Sequence, residues 1–179
     1  MRIISGEWRG RTIVTPAGET TRPTADRARE TLFSMLASRL GGFTGLIVAD
    51  LFAGSGALGL EALSRGAARC TFIDHDRAAI GALRANVAAL AADGATILQA
   101  SALTPPRAAS PCDLIFIDPP YGSVDFRALL AALAERGWIG AGTIVSIETA
   151  RGSPVDAAPL GTIATRQVGK AELHLLRES

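Results

Sequence analysis

The chain has 179 residues, 48% of them hydrophobic, which suits one domain with a substantial core and leaves little room for a second. Its 18 basic and 17 acidic residues nearly cancel, which excludes a broad electrostatic footprint for nucleic acid. The two cysteines, Cys70 and Cys112, exclude a disulfide framework, and the two histidines are too far apart in sequence to suggest a metal site. The amino terminus has no long apolar stretch, so we expect no signal peptide, no membrane-spanning helix and a cytoplasmic location.

The predicted elements begin with a short hairpin, formed by residues 2 to 5 and 11 to 14, and a helix over residues 24 to 40 with leucine and phenylalanine on one face. Strand and helix signals then alternate, which is typical of a parallel α/β sheet. The predicted strands lie near residues 46–51, 69–74, 95–99, 112–117 and 143–148, and the predicted helices near 57–65, 77–92 and 125–136.

Two apolar runs close the chain, at residues 161–168 and 171–176, with Gly169 and Lys170 between them. Because this link is too short for a parallel crossover, the two runs are predicted to pair antiparallel. The fold class is therefore α/β, with a mostly parallel sheet and an antiparallel hairpin at its end.

The first strand of the alternating series leads into a glycine-rich turn. Asp50 closes the strand, Phe52 follows, and Gly54, Gly56 and Gly59 lead into an apolar helix. Glycines let the backbone approach a ligand closely, and a helix start presents free N–H groups. The spacing matches the dinucleotide fingerprint, which is weak evidence by itself. The carboxylate of Asp50 would be a poor neighbour for a pyrophosphate and favours a cationic ligand.

The second strand ends at another acidic residue, Asp74. In a doubly wound sheet this is the position of the carboxylate that binds ribose hydroxyls. Asp76 is predicted to cap the next helix. The alternatives are that Asp50 merely ends a strand or caps a turn, and that Asp74 is an ordinary carboxylate of a surface loop.

A third motif, Asp118-Pro119-Pro120-Tyr121, directly follows the apolar run 114–117. The two prolines fix the backbone and supply no N–H, so the Pro119 carbonyl and the Asp118 carboxylate can point outward as acceptors. Tyr121 adds a face for stacking. An exocyclic amine has two protons to match these acceptors, so the motif indicates chemistry on a planar amine. The alternative is a rigid turn after a buried strand.

The pattern Asp50-x-Phe52-x-Gly54-x-Gly56, with Asp74 and the Asp-Pro-Pro-Tyr motif, resembles class I S-adenosylmethionine-dependent methyltransferases that act on exocyclic amines. Three longer segments, residues 2–14, 22–33 and 54–66, look like the bacterial 16S rRNA guanine-N2 methyltransferases. The likeness covers nearly the whole chain. Its first segment is the specific part, because enzymes for DNA adenine and protein glutamine share the glycine loop and Asp-Pro-Pro-Tyr.

This resemblance implies a Rossmann-like, seven-stranded single domain over residues 1–179, with residues 1–40 as an extension that contacts RNA. It implies methyl transfer from S-adenosylmethionine, leaving S-adenosylhomocysteine, to N2 of one guanine of 16S rRNA, and no metal is expected. The modest positive charge favours a guanine presented by an assembled or partly assembled 30S subunit, with naked 16S rRNA as the alternative. The implied catalytic residues are Asp118, Pro119, Pro120 and Tyr121. The implied cofactor-binding residues are Asp50, Phe52, Gly54, Gly56, Asp74, Ser101 and Ala102, with Ser101 standing where many relatives place an acidic or amide side chain at the adenine.

Positive charge is concentrated at the amino-terminal end, where residues 1–39 hold seven arginines against four acidic residues. An RNA-binding enzyme of nearly neutral net charge needs such a local patch. The alternative for the arginines of the first helix is a solvated face with weak ion pairs. The candidate RNA-binding residues are Arg2, Arg9, Arg11, Arg22, Arg27 and Arg29.

Three other functions are considered. A DNA adenine methyltransferase would keep the chemistry, but no recognition domain or long insertion is visible in 179 residues. A non-enzymatic ribosome-assembly factor would not need the intact glycine loop, Asp74 and Asp-Pro-Pro-Tyr. A nicotinamide oxidoreductase would leave Asp-Pro-Pro-Tyr unexplained.

Overall fold

A computed structural model describes residues 1–16, 23–120, 122 and 124–178. Four helices and seven strands alternate much as predicted, with ends that differ from the predicted ones by at most three residues. In chain order these elements are α1 (Pro23–Leu40), β1 (Ile47–Leu51), α2 (Ala57–Ser64), β2 (Arg69–Asp74), α3 (Arg77–Leu90), β3 (Ala95–Gln99), β4 (Leu114–Ile117), α4 (Phe126–Glu135), β5 (Ile144–Ala150), β6 (Gly161–Val168) and β7 (Ala171–Arg177).

The strands form one seven-stranded sheet in the order β3-β2-β1-β4-β5-β7-β6. Strands β1 to β5 pair in parallel, while β7 runs antiparallel to both β5 and β6. The predicted α/β class, the mostly parallel sheet and the terminal antiparallel hairpin are therefore confirmed. Because β6 and β5 both oppose β7, β6 runs in the same direction as β5, and both end at the same edge of the sheet.

Side-chain alternation along the strands divides the core into two apolar layers. Phe72 and Phe116 belong to one layer with α1, α2 and α3, whereas Ile115 and Ile147 belong to the other with α4. Cys70 and Cys112 lie buried in these layers, and burial raises the pKa of the Cys112 thiol to about 12. Both layers lie between the sheet and its helices, which leaves the carboxyl edge of the strands to polar groups.

The amino-terminal segment folds back on itself and docks on α2. Arg2 and Thr12 form the antiparallel bridge of the predicted hairpin. The carboxylate of Glu61, which is fully buried in α2, accepts hydrogen bonds from the backbone N–H groups of Ile4 at 2.8 Å and Ser5 at 2.9 Å. Arg65 Nε donates to the same carboxylate at 2.9 Å. Glu61 therefore clamps the hairpin to the helix that follows the glycine loop.

A second polar side chain joins the amino-terminal segment to the glycine loop itself. Asn86 of α3 is buried, and its amide accepts from Val14 N and donates to Val14 O, each at 2.8 Å. Its Nδ2 also donates to the carbonyl of Ser55 at 2.9 Å. One amide thus satisfies backbone groups from two segments that are far apart in sequence.

Candidate functional site

The three motifs meet at one edge of the sheet. β1 lies between β2 and β4, and Leu51 is level with both Ile73 and Ile117. Because these strands are parallel, the glycine loop, Asp74 and Asp118 all emerge at their carboxyl ends. Ligands bind at this edge in open parallel α/β sheets.

The glycine loop owes its shape to positive backbone angles. Phe52 adopts a φ of 57°, which costs a residue other than glycine on the order of 1–3 kcal/mol, a strain found mostly at functional sites. Gly54 has a φ of 55°, and a Cβ added there would meet nothing within 4 Å among the described residues. At Gly56 an added Cβ would come within 2.3 Å of Leu83 Cδ1. Gly56 is thus required for packing, whereas Gly54 leaves an open face to which a ligand can come close.

Asp50 is buried beneath the glycine loop and does not face the open side of the loop. It is 1% exposed, and its Oδ2 accepts a hydrogen bond from Gly59 N at 2.9 Å. The N-cap of α2, Gly56, has no capping side chain, so Asp50 supplies an acceptor to the helix start from the neighbouring strand. Burial raises the pKa of Asp50 to about 8, with the nearby Asp74 adding to the rise and the Gly59 hydrogen bond opposing it.

Asp50→Asn is expected to flatten the pH dependence of stability. The pKa of Asp50 is about 8 when folded, against 3.8 as the ordinary value, so folding retains a proton and stability falls as the pH rises between those values. The slope from this group approaches about 1.4 kcal/mol per pH unit. Asparagine can still accept from Gly59 N without ionising.

Urea unfolding at about pH 5 and about pH 8 measures this effect. The free energy of unfolding of the Asn variant should increase relative to the wild type between the two pH values. If the free energies of unfolding of the two proteins differ by the same amount at both pH values, Asp50 is ionised in the folded protein throughout this range.

Asp74 is held by the glycine loop. Its Oδ2 accepts from Gly54 N at 2.8 Å and its Oδ1 from Asp76 N at 2.9 Å. A carboxylate has about four lone-pair sites, so it can accept further hydrogen bonds after these two. The predicted cap at Asp76 is confirmed, since its side chain accepts from Ala79 N at 2.8 Å.

The third strand brings Ser101 and Ala102 next to Asp74. Gln99 is paired with Asp74, and Ala100 N donates to the Asp74 carbonyl at 3.0 Å. The Ser101 hydroxyl is exposed and accepts from Leu103 N at 3.2 Å, whereas Ala102 is buried. The predicted adenine contacts therefore lie at the same edge as the glycine loop, one strand beyond Asp74.

The Asp-Pro-Pro segment borders a cavity of about 430 Å³. Asp118 is exposed just after β4, and Pro119 and Pro120 form part of the cavity wall. The lining also includes residues near the end of the neighbouring strand β5, where Glu148 is half-buried. The cavity is large enough for a purine and lies on the side of β4 away from Asp74. Tyr121 lies outside the described residues.

Glu148 was not among the predicted site residues, since in the sequence it is only the last residue of the strand predicted near residues 143–148. Burial raises the pKa of its carboxyl group. Only the pairing of β5 with β4 places this carboxylate beside the Asp-Pro-Pro segment.

The predicted RNA-binding arginines separate into exposed and buried groups. Arg29 is 5% exposed, and its NH2 donates to Arg2 O at 2.5 Å and to Asp26 Oδ1 at 3.2 Å. Arg29 was expected at the surface. It is instead buried, and it links the hairpin to α1. Arg22 lies outside the described residues. The exposed candidates are Arg2, Arg9, Arg11 and Arg27, of which Arg11 also donates to Ala89 O at 2.6 Å.

A second cavity, of about 260 Å³, places Arg27 of α1 opposite Arg166 of β6. Arg166 is level with Leu173 of β7, which in turn is level with Glu148 of β5. Neighbouring strands are about 4.8 Å apart, and β7 lies between β5 and β6. The backbones of Arg166 and Glu148 are therefore roughly 10 Å apart across the sheet. Arg166 was not among the RNA-binding residues predicted from the sequence.

The part of the chain with described coordinates contains no group of three or more His, Cys, Asp and Glu side chains that could hold a metal ion. It also contains no helix that is long and apolar enough to cross a membrane.

Comparisons with known proteins agree with this geometry. A family model described as conserved hypothetical protein 95 matches residues 1–177. Ribosomal RNA small subunit methyltransferase D of Escherichia coli K12 is 40% identical over 150 residues, 83% of this chain and 74% of that protein. The putative rRNA methyltransferase YlbH of Bacillus subtilis is 41% identical over 140 residues, 75% of this chain and 74% of that protein. The structure of the putative methyltransferase yhhF from Escherichia coli matches with a TM-score of 0.85 and 36% identity, covering 100% of this chain and 98% of that one.

Proposed function

This chain belongs to the conserved hypothetical protein 95 family, and we propose that it transfers a methyl group from S-adenosylmethionine to the exocyclic N2 amine of one guanine in 16S rRNA. Its relatives and its seven-stranded Rossmann-like sheet identify it more generally as an rRNA methyltransferase. The observation that carries the finer proposal is the Asp118-Pro119-Pro120 segment, which lies between the glycine-loop edge and a purine-sized cavity. Residues 1–179 would act as one catalytic domain, with residues 1–40 as an extension that contacts RNA.

The glycine-loop edge fits S-adenosylmethionine. Its open face at Gly54 gives room for the ligand, and the Asp74 carboxylate retains acceptor capacity for ribose hydroxyls. Phe52 and Gly56 shape the loop, and Asp50 anchors it from below. Ser101 and the Ala102 N–H would contact the adenine. When bound, the cofactor supplies an electrophilic methyl group on a sulfonium sulfur, and equilibrium binding of S-adenosylmethionine tests this assignment.

The Asp-Pro-Pro-Tyr segment would orient the amine and stabilise its developing charge. The N2 lone pair of guanine is delocalised into the ring, so the amine is a weak nucleophile. Hydrogen bonds from its two protons to the Asp118 carboxylate and the Pro119 carbonyl would favour a pyramidal nitrogen. Pro120 keeps the backbone of this acceptor pair rigid. As positive charge develops on nitrogen, the negative charge of Asp118 stabilises it electrostatically.

Tyr121 would hold the extruded base by stacking, which is worth about 1–3 kcal/mol per base in single-strand binders. A base that enters the cavity must be unpaired or flipped, as in an RNA loop. The nearly neutral net charge suits a guanine that ribosomal proteins and RNA folding have already exposed, so we propose the assembled or partly assembled 30S subunit in the cytoplasm as the target.

The RNA backbone would contact several of the exposed arginines. Arg27 and Arg166 line one cavity, and Arg166 is on the same rung of the sheet as Glu148. We propose that these two arginines bind a phosphate near the target guanine. Other backbone contacts would come from Arg2, Arg9, Arg11 and Arg22, while buried Arg29 would support the hairpin.

Replacing both Arg27 and Arg166 with alanine is expected to weaken binding to the small subunit and to reduce its salt dependence. Each lost phosphate contact lowers the slope of log affinity against log salt by roughly 0.7–0.9. Arg39→Ala is the matched control, because Arg39 is an exposed arginine at the other end of α1. If the control lowers the slope as much as the double variant does, the cavity is not a specific phosphate site.

The proposed function is tested by transfer of radiolabelled methyl to small subunits from cells that lack the modification, followed by nucleoside analysis. We expect N2-methylguanosine at one position of 16S rRNA. Label on adenine, or transfer to DNA but not to small subunits, would contradict the proposal. Naked 16S rRNA serves as the parallel substrate, and better transfer to it would contradict the preassembled target.

A further inference from the structure

Glu148 occupies a position that the proposed chemistry has not used. Its carboxylate is half-buried in the wall of the 430 Å³ cavity, whose other described lining residues are prolines, small residues, Val124, Phe126 and Thr149. It is the one ionisable side chain among those described lining residues. Within the described part of the chain it forms no ion pair. A carboxylate held at the wall of a largely apolar cavity requires a partner to offset its desolvation.

The register of the sheet places Glu148 beside the amine-binding segment. Ile117 of β4 is level with Ile147 of β5, so Asp118 and Glu148 are the next residues along two neighbouring parallel strands. Such neighbours are about 4.8 Å apart across the sheet. A base whose amine is held by Asp118 and the Pro119 carbonyl would therefore have part of its ring beside Glu148.

The ring nitrogen beside the amine on the Watson–Crick edge differs among the three bases that carry an exocyclic amine. In guanine, N1 beside the N2 amine bears a hydrogen and donates. In adenine, N1 beside the N6 amine is an acceptor, and in cytosine, N3 beside the N4 amine is also an acceptor. A carboxylate only accepts, so at this position it attracts guanine and repels the other two.

On the basis of the proposed function, we propose that Glu148 determines base specificity by accepting a hydrogen bond from N1–H of the target guanine. Asp118 and the Pro119 carbonyl would recognise the amine common to all three bases, and Glu148 would recognise what is unique to guanine. Burial raises the pKa of Glu148 in the free protein, and a hydrogen bond from N1–H favours the ionised form. Binding of guanine would therefore compensate for the burial of the carboxylate.

The test changes the donor and acceptor groups at the proposed contact, first in the base and then in the side chain of residue 148. In 2,6-diaminopurine the 2-amine is retained, but N1 accepts instead of donating. Glu148→Gln keeps the size of the side chain and adds an N–H donor. Methyl transfer is measured with both proteins on small subunits reconstituted with either base at the target position, with Glu135→Gln as an exposed control at the end of α4.

We expect the wild type and the Glu135→Gln control to prefer guanine by on the order of 100-fold, the factor that corresponds to leaving one buried polar group unpaired with the other base. Glu148→Gln should lower transfer to guanine, raise transfer to diaminopurine and so reverse or abolish the preference. Glu148→Ala should reduce the preference to less than about tenfold by the same reasoning. A merely structural role would lower both rates without changing their ratio.

The outcomes separate this inference from the proposed function. If the wild type transfers no methyl to guanine in small subunits, the proposed function fails. If it does so and both Glu148 variants keep the wild-type preference, the function stands and the role of Glu148 is overturned. Glu148→Ala decides the question if Glu148→Gln does not fold.

Discussion

Asp118→Ala is expected to lower methyl transfer by about 100- to 1,000-fold, the range found when one preorganised electrostatic partner of a transition state is removed. The reason is that Asp118 would both orient the amine and stabilise its positive charge. The loss should appear in kcat, because the cavity wall and the arginines that bind RNA remain in place. Asp118→Asn should lose less, since its amide oxygen still accepts a hydrogen bond. Single-turnover transfer to unmodified small subunits measures both effects.

The matched control for this prediction lies at the other end of the same strand. Asp113 precedes β4, and its Oδ2 accepts from Ile47 N at 2.7 Å. Asp113→Ala should cost about 0.5–1.5 kcal/mol of stability, the usual contribution of one hydrogen bond, with little change in transfer. Asp118→Ala should instead strongly lower transfer and change stability little, since Asp118 is exposed. Near-normal transfer by Asp118→Ala would remove Asp118 from the mechanism.

The second large effect is expected at Glu61. Glu61→Ala should lower the free energy of unfolding by about 3–5 kcal/mol, because it breaks a buried charged network and leaves the N–H groups of Ile4 and Ser5 without their acceptor. Arg65 would also lose its partner at 2.9 Å. Urea unfolding measures the stability. Amide hydrogen exchange at residues 4 and 5 should accelerate far more than exchange in β4.

Two further variants serve as comparisons for Glu61→Ala. Glu61→Gln keeps one acceptor oxygen but turns an amide N–H toward a backbone N–H, so its loss of stability should be intermediate. Glu135→Ala removes an exposed glutamate from the end of α4 and should change stability by less than about 0.5 kcal/mol. Equal losses for Glu61→Ala and Glu135→Ala would show that the clamp contributes no stability.

The elements and the edge that carries the site could be predicted from the sequence because both depend on local patterns. Apolar runs at strand length, separated by helical periodicity, determined the order of elements, and a two-residue link determined the antiparallel pairing of β6 and β7. The positions of Asp74 and Asp118 at the carboxyl ends of β2 and β4 could be predicted because each directly follows an apolar run.

What escaped prediction depends on packing between distant segments. Glu61 and Asn86 are polar residues within helices, where such residues usually face solvent, and they are buried because the amino-terminal segment covers them. Arg29 was expected at the surface for the same reason. Arg166 and Glu148 lie on either side of Leu173 only because of the strand order β5-β7-β6, which no local pattern encodes.

Asn86 has a consequence for how this enzyme could be redesigned. A graft of the amino-terminal segment onto another catalytic domain, or its exchange for that of a relative, must carry an asparagine at this point of α3, since the same amide supports both Val14 and Ser55. A chimera without it would leave buried backbone groups of both segments unpaired. The extension and the loop therefore form one structural unit rather than two exchangeable modules.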